Sequence, residues 1–136
     1  MHIILDAGHG ETTPGKRSPD GKFREYKYCR EIMAEIKKGL EARGYSVDVT
    51  VDTDEDIHLN KRCKYVNSLC AKYGSQNTLL VSIHCNAARN GDIWTNARGW
   101  CVFIGLNGSN KSKQLALSLL NQAEKAGLKI RKYSKD

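Results

Sequence analysis

Two histidines stand where apolar runs end. Ile3-Ile4-Leu5-Asp6-Ala7 gives way to Gly8-His9-Gly10, and Leu79-Leu80-Val81-Ser82-Ile83 gives way to His84. Neutral imidazole is the commonest side-chain metal ligand, so two of them aimed at one place form part of a zinc site. Glycine on each side of His9 frees the backbone to turn and leaves the ring uncrowded. Each histidine alone fits a plainer role, His9 in a tight turn and His84 as a hydrogen-bonded core residue. Only their convergence points to a metal. A third ligand is expected from a carboxylate, and two are candidates: Glu11, two residues past His9, and Glu25, at the opening of an apolar helical repeat. Two histidines and one glutamate leave zinc a fourth position for water, the open arrangement of a hydrolytic site. Asp6 is placed either to orient a ligand from behind it or to cap a turn. His2 and His58 have no such setting and read as surface residues.

For these side chains to meet, the chain must bring the ends of distant segments together. Residues 2–5 read as a short buried strand, followed by a loop rich in Gly, Pro, Ser and Thr. Cys29, Ile32, Met33, Ile36 and Leu40 then recur at helical spacing, and Gly44 stands past the last turn as a stop. Residues 45–51 alternate apolar and polar, as a strand does. Leu59, Cys63, Val66, Cys70 and Tyr73 predict one face of a second helix. Residues 78–83 are nearly all apolar, as expected of a strand covered on both faces. A further strand is predicted over 99–105, then a last helix capped by Asn110, carrying Leu115, Leu119, Leu120 and Ala123, with Gly127 behind it.

Strands alternating with helices predict an α/β domain: a mainly parallel, twisted sheet flanked by helices on both faces. With the first strand between the second and third, His9 and His84 emerge side by side at the carboxyl edge, where ligands bind in such sheets.

A chain of 136 residues is sized for one domain, 1–136. No apolar run approaches the ~18 residues of a membrane helix. The amino end enters a strand at once and lacks the pattern of a secretory signal, so synthesis in the cytoplasm is expected. The net charge is +7, and the last 26 residues carry seven Lys or Arg against two acids. That asymmetry suits an anionic partner as well as a solvated basic helix. Aromatic residues make up 7% of the chain and do not interleave with basic ones, so nucleic acid is not expected. Five cysteines, at 29, 63, 70, 85 and 101, form no CxxC pair and an odd set, which predicts reduced and mostly buried thiols.

Two other chemistries fit poorly. Residues 10–16 nearly spell a phosphate-binding loop, but Arg17 stands where Ser or Thr must reach Mg²⁺, and no helix follows. Cys85 as a nucleophile would need His84 as its base, yet neighbours on a strand point to opposite faces.

The segments Ile4-Leu5-Asp6-Ala7-Gly8-His9-Gly10, Arg24-Glu25-Tyr26 and Ser82-Ile83-His84-Cys85-Asn86-Ala87 together resemble the three ligand motifs of the zinc-dependent N-acetylmuramoyl-L-alanine amidases, type 3 family. Leu59 to Arg62, Asn67, Gly99, Ser112 and Leu115-Ala116 agree in order, so the likeness runs along nearly the whole chain. The resemblance implies a mixed sheet flanked by helices and one Zn²⁺ held by His9, Glu25 and His84. It also implies hydrolysis of the amide between N-acetylmuramic acid and L-alanine in peptidoglycan, in the manner of an endolysin or autolysin. Cys85 departs from the small residue usual in the family, and Cys29 stands near a customary asparagine. The family closes on a strand that delivers a catalytic glutamate, whereas no glutamate follows Glu124 here. The chain is therefore expected to lack that last strand and its base, which would lie beyond Asp136. It is then expected to bind zinc with little turnover, or to act as a wall-binding module without catalysis. It is expected as a monomer, able to self-associate if a sheet edge is exposed.

Overall fold

A computed structural model of the chain describes residues 1–86 and 92–131. Ala87 of the third motif and the tail 132–136 lie outside the described residues. The chain divides into two compact units, Met1–Trp94 and Thr95–Asp136.

In the first unit, strands β1 (His2–Ala7), β2 (Ser46–Val49) and β3 (Thr78–Ile83) form a sheet in the order β2-β1-β3. Both pairings are parallel: Ile3 lies opposite Val47 on one side and Leu79 on the other. The predicted strand order is the one observed. β1 takes the centre because it is buried on both faces: Ile4 and Leu5, which point to opposite sides, are fully buried.

Helix α1 (Glu25–Glu41) lies on one face. Its Cys29 and Met33 join Ile3, Leu5 and Ala7 in the core, with Val47, Val49, Val81 and Ile83 packed around them. The predicted stripe is thus the buried one, apart from Ile36, which is 38% exposed. Gly44, at φ 82°, turns the chain out of α1 as expected. Its amide donates to Glu41 O and that of Tyr45 to Leu40 O.

Helix α2 (Leu59–Tyr73) lies on the opposite face, and here the sequence reading needs correcting. Arg62 and Leu69 are its buried residues, while Leu59 and Cys63 are exposed. The cause is the polar surface that this helix covers, since the alternate residues of the strands present His2, Asp6 and Asp48. Arg62 pairs with Asp6, the Tyr65 hydroxyl donates to Asp48, and Tyr73 stacks on His2 with ring centroids 3.9 Å apart. His2 is therefore a buried residue, not a surface one, with Nδ1 3.0 Å from Ser46 Oγ and Nε2 3.0 Å from the Asp48 carboxylate. His58 is exposed as expected and caps α2, its Nδ1 accepting the Asn60 amide. β3 is covered less than its apolar composition predicted: Leu80 is 49% exposed and Ser82 is exposed.

The second unit holds helix α3 (Asn110–Lys125). Ser109, one residue before the expected Asn110, is its cap and accepts the Ser112 amide. Gly127, at φ 80°, follows the helix as predicted. Over 99–105, where a strand is expected, the described residues show a parallel bridge between Trp100 and Ile130, and a turn follows between Gly105 and Gly108. Phe103, Ile104 and Leu106 stay exposed.

Candidate metal centre

β1 and β3 run side by side, and the Gly8 amide extends their pairing by donating to Ile83 O at 2.9 Å. The residues that follow, His9 and His84, are thereby released at one edge, with ring centroids 4.9 Å apart in an edge-to-face arrangement. Glu25 reaches the same point from the first turn of α1, whose amino end is set by the Glu25 amide bonded to Lys16 O. One carboxylate oxygen, Oε1, lies 3.4 Å from His9 Nε2 and 3.2 Å from His84 Nδ1. It also accepts the Cys85 amide at 2.8 Å. One ligand atom from each of His9, Glu25 and His84 lies within 4.8 Å of the others.

These distances fit a zinc ion. Ligands at about 2.0–2.1 Å in a tetrahedron stand about 3.4 Å from one another, close to the two measured separations. The two-nitrogen, one-oxygen donor set is also that of open zinc sites. Glu11 is exposed and belongs to no such cluster among the described residues, with its amide bonded to Asp54 O.

Protonation suits the arrangement. Burial holds His9 below the usual imidazole range, against the pull of Glu25, so its ring is neutral and ready to ligate. Burial works to raise the Glu25 carboxyl, but the bonds from His84 and the Cys85 amide and the charges of both histidines outweigh it, leaving Glu25 ionised. His84 is raised by its hydrogen bond to Glu25, so metal binding at this ring competes with a proton.

The two glycines beside His9 do a different job from the one their sequence suggests. Neither has positive φ; the left-handed residue is His9 itself, at φ 59°. A Cβ at Gly8 would lie 2.5 Å from Nδ1 of His84, and one at Gly10 would lie 2.3 Å from the Asp56 Cα. Gly8 makes room for the second imidazole, and Gly10 lets the loop before α2 close on the site. The strain at His9 costs about 1–2 kcal/mol for a residue with a Cβ.

Asp6 touches none of the three ligand candidates directly. Burial works to raise its carboxyl, but hydrogen bonds from Ser82, Thr50 and Arg62 and the charge of Arg62 bring it below the usual carboxylate range. It anchors Arg62, and Arg62 in turn donates to the carbonyls of Ala7, His9 and Ile57. Arg30 of α1 donates to the carbonyls of Ala7, Gly8 and His9 from the other side. Sequence reasoning gave neither arginine a role: Arg62 entered it only as the end of the Leu59 to Arg62 match, and Arg30 not at all.

The five cysteines stand outside any disulfide, and of them only Cys29 is fully buried. The Cys85 thiol is hydrogen-bonded to Cys29 and pushed up by that bond and by burial, so it is a poor nucleophile. Residues 10–16 form turns and bends and α1 opens only at Glu25, which is no cradle for phosphate. Beside the two histidines opens a cleft of about 550 Å³, bordered also by Thr13, Asp56, His58 and Arg62.

Comparisons with known proteins agree with this geometry. A family model described as N-acetylmuramoyl-L-alanine amidase matches residues 3–136. Over 102 residues the chain is 35% identical to the N-acetylmuramoyl-L-alanine amidase AmiC of Neisseria meningitidis serogroup B (strain ATCC BAA-335 / MC58), a match covering 75% of this chain. It spans only 22% of that relative's length. Among solved structures, Cwp6 from Clostridium difficile superposes with a TM-score of 0.74 at 25% identity, covering 98% of this chain and 20% of that one. The CwlD amidase from Clostridioides difficile, solved in complex with the GerS lipoprotein, gives 0.69 at 22% identity, covering 99% and 73%. The catalytic domain of the amidase CwlV from Bacillus (Paenibacillus) polymyxa var. colistinus gives 0.69 at 20% identity, covering 96% and 68%.

Proposed function

The chain belongs to the N-acetylmuramoyl-L-alanine amidase family, and on that premise we propose that it holds one Zn²⁺ on His9, Glu25 and His84. There it hydrolyses the amide joining N-acetylmuramic acid to L-alanine in peptidoglycan. The observation that carries this reading is the convergence of three ligand atoms within 4.8 Å, from segments 16 to 75 residues apart in sequence order.

When bound, zinc supplies a Lewis acid that polarises the scissile carbonyl and lowers the pKa of water toward about 7. The chain's own residues set up that chemistry. His9 offers Nε2 and His84 offers Nδ1, both turned toward Glu25 Oε1. The Cys85 amide holds the same oxygen in place, so the carboxylate cannot swing away from the two rings. The cleft beside the histidines receives the substrate, with the Thr13 hydroxyl, the Asp56 carboxylate and the His58 ring as polar groups along its wall.

Protein made in the cytoplasm and delivered to the cell wall would act there as a single chain; among the described residues no helix is long and apolar enough to cross a membrane. A second reading keeps the same site without turnover: a wall-binding module that holds zinc on His9, Glu25 and His84.

Metal content of the pure protein tests the reading, wild type against His84→Ala. One equivalent of zinc in the wild type and none in the variant is expected. No metal in either, after loading with excess zinc, overturns it. Release of new amino groups from purified peptidoglycan, abolished by a chelator, separates the hydrolase from the binding module.

A further inference from the structure

The end of β1 is held more firmly than a strand end requires. Arg30 Nη1 donates to Ala7 O at 3.1 Å and Gly8 O at 3.2 Å, and its Nη2 donates to His9 O at 2.7 Å. Arg62 Nη1 donates to Ala7 O at 2.7 Å, and its Nη2 donates to His9 O at 3.2 Å. Three successive carbonyls therefore take five charged hydrogen bonds, from two helices on opposite faces of the sheet. Carbonyls at a loop are ordinarily satisfied by water. Two like charges are instead packed against one short segment, and Arg62 is 7% exposed. The Asp6 carboxylate, 3.1 Å from Arg62 Nη1, offsets one of them.

The segment so held includes the one ligand candidate in a left-handed backbone conformation. Released, His9 would relax toward negative φ, where residues with a Cβ are favoured. That rotation would carry its ring away from Glu25 and His84. We propose that Arg30 and Arg62 are positioning residues that lock His9 at positive φ, so that the ligand set is assembled before metal arrives. The metal part of this inference rests on the zinc reading above. The backbone part stands without it.

Lysine keeps the charge at either position but not the planar fork that spans neighbouring carbonyls. Arg30→Lys is the cleaner variant, since Arg30 makes no ion pair with a carboxylate among the described residues and its other bond is to Thr53 O. Two readouts are made on each protein. The first is zinc affinity by competition with a chromophoric chelator, expected to weaken about 10–100-fold in Arg30→Lys and in Arg62→Lys. The second is the HN–Hα coupling of His9 in metal-free protein by NMR, taken together with its intraresidue HN–Hα nuclear Overhauser effect, which separates positive from negative φ. It is expected to change in both arginine variants and to stay at the wild-type value in His84→Ala. Thermal unfolding of the metal-free proteins controls for the fold. An unchanged coupling and Overhauser effect at His9 in folded Arg30→Lys overturns the proposal, as does wild-type zinc affinity in that variant. If the wild type binds no zinc, the metal reading falls and the coupling alone decides whether the arginines set φ.

Discussion

The two faces of the central sheet are held by different physics. On the α1 side, Ile3, Leu5 and Ala7 meet Cys29 and Met33 in a dry cluster, and the helix is held by removal of apolar area from water. On the α2 side, Asp6, Asp48 and His2 meet Arg62, Tyr65 and Tyr73 through an ion pair, a hydroxyl bond and a ring stack. A burial-driven face tolerates small sliding, because one apolar contact replaces another. A face made of directional bonds fixes its partner in register. The candidate metal centre draws on both. Glu25 comes from the apolar side, and α2, through Arg62, reaches the His9 loop from the polar side.

The contrast can be broken from the apolar side first. Leu5→Ala, at a residue 1% exposed, is expected to cost about 3–5 kcal/mol in urea unfolding, with metal stoichiometry retained in the protein that stays folded. Asp6→Asn strikes the polar face and is expected to cost about 3 kcal/mol, since it removes the nearer of the two carboxylates facing the Arg62 side chain, which is 8% exposed, and leaves Asp56 at 3.8 Å. The same variant sharpens the contrast through pH. Asp6 is depressed in the folded state, so its contribution is present above the ordinary aspartate value of about 3.9 and is lost as pH falls through its folded value. Wild-type stability should decline over that acid range, and Asp6→Asn should show a shallower decline in denaturant midpoint against pH. Tyr65→Phe removes one exposed hydroxyl bond to Asp48 and is expected to cost about 0.5 kcal/mol. Leu59→Ala, at a residue 70% exposed, is expected to change stability by no more than about 0.5 kcal/mol, although its sequence pattern places it in a core.

The same division explains what the sequence revealed. Periodicity reports burial of apolar side chains, so α1 and the parallel strands were readable, and strand order followed from the alternation of elements. The convergence of His9 and His84 came with that order, because both lie at carboxyl ends of neighbouring strands. Choosing Glu25 over Glu11 took the family resemblance. α2 was legible as a helix but not in its rotation: Arg62 buries a charge where the pattern offered Leu59 and Cys63, and polar contacts leave no periodic trace. His2 was misread for the same reason, since a buried histidine bonded to Ser46 and set beside Asp48 looks in sequence like any terminal polar residue. The segment 99–105 has a strand's composition, and among the described residues its pairing is seen as the bridge of Trp100 to Ile130, since pairing is a property of the fold and not of composition.

Gly8 carries one more consequence. A single methyl group there would overlap the His84 ring, so positions 8 and 84 behave as one heritable unit. A mutational walk that alters one residue at a time meets a dead end at either of them. Only a library varying both together can explore other donors at that corner, and any survivor with a side chain at 8 should carry a smaller or redirected group at 84.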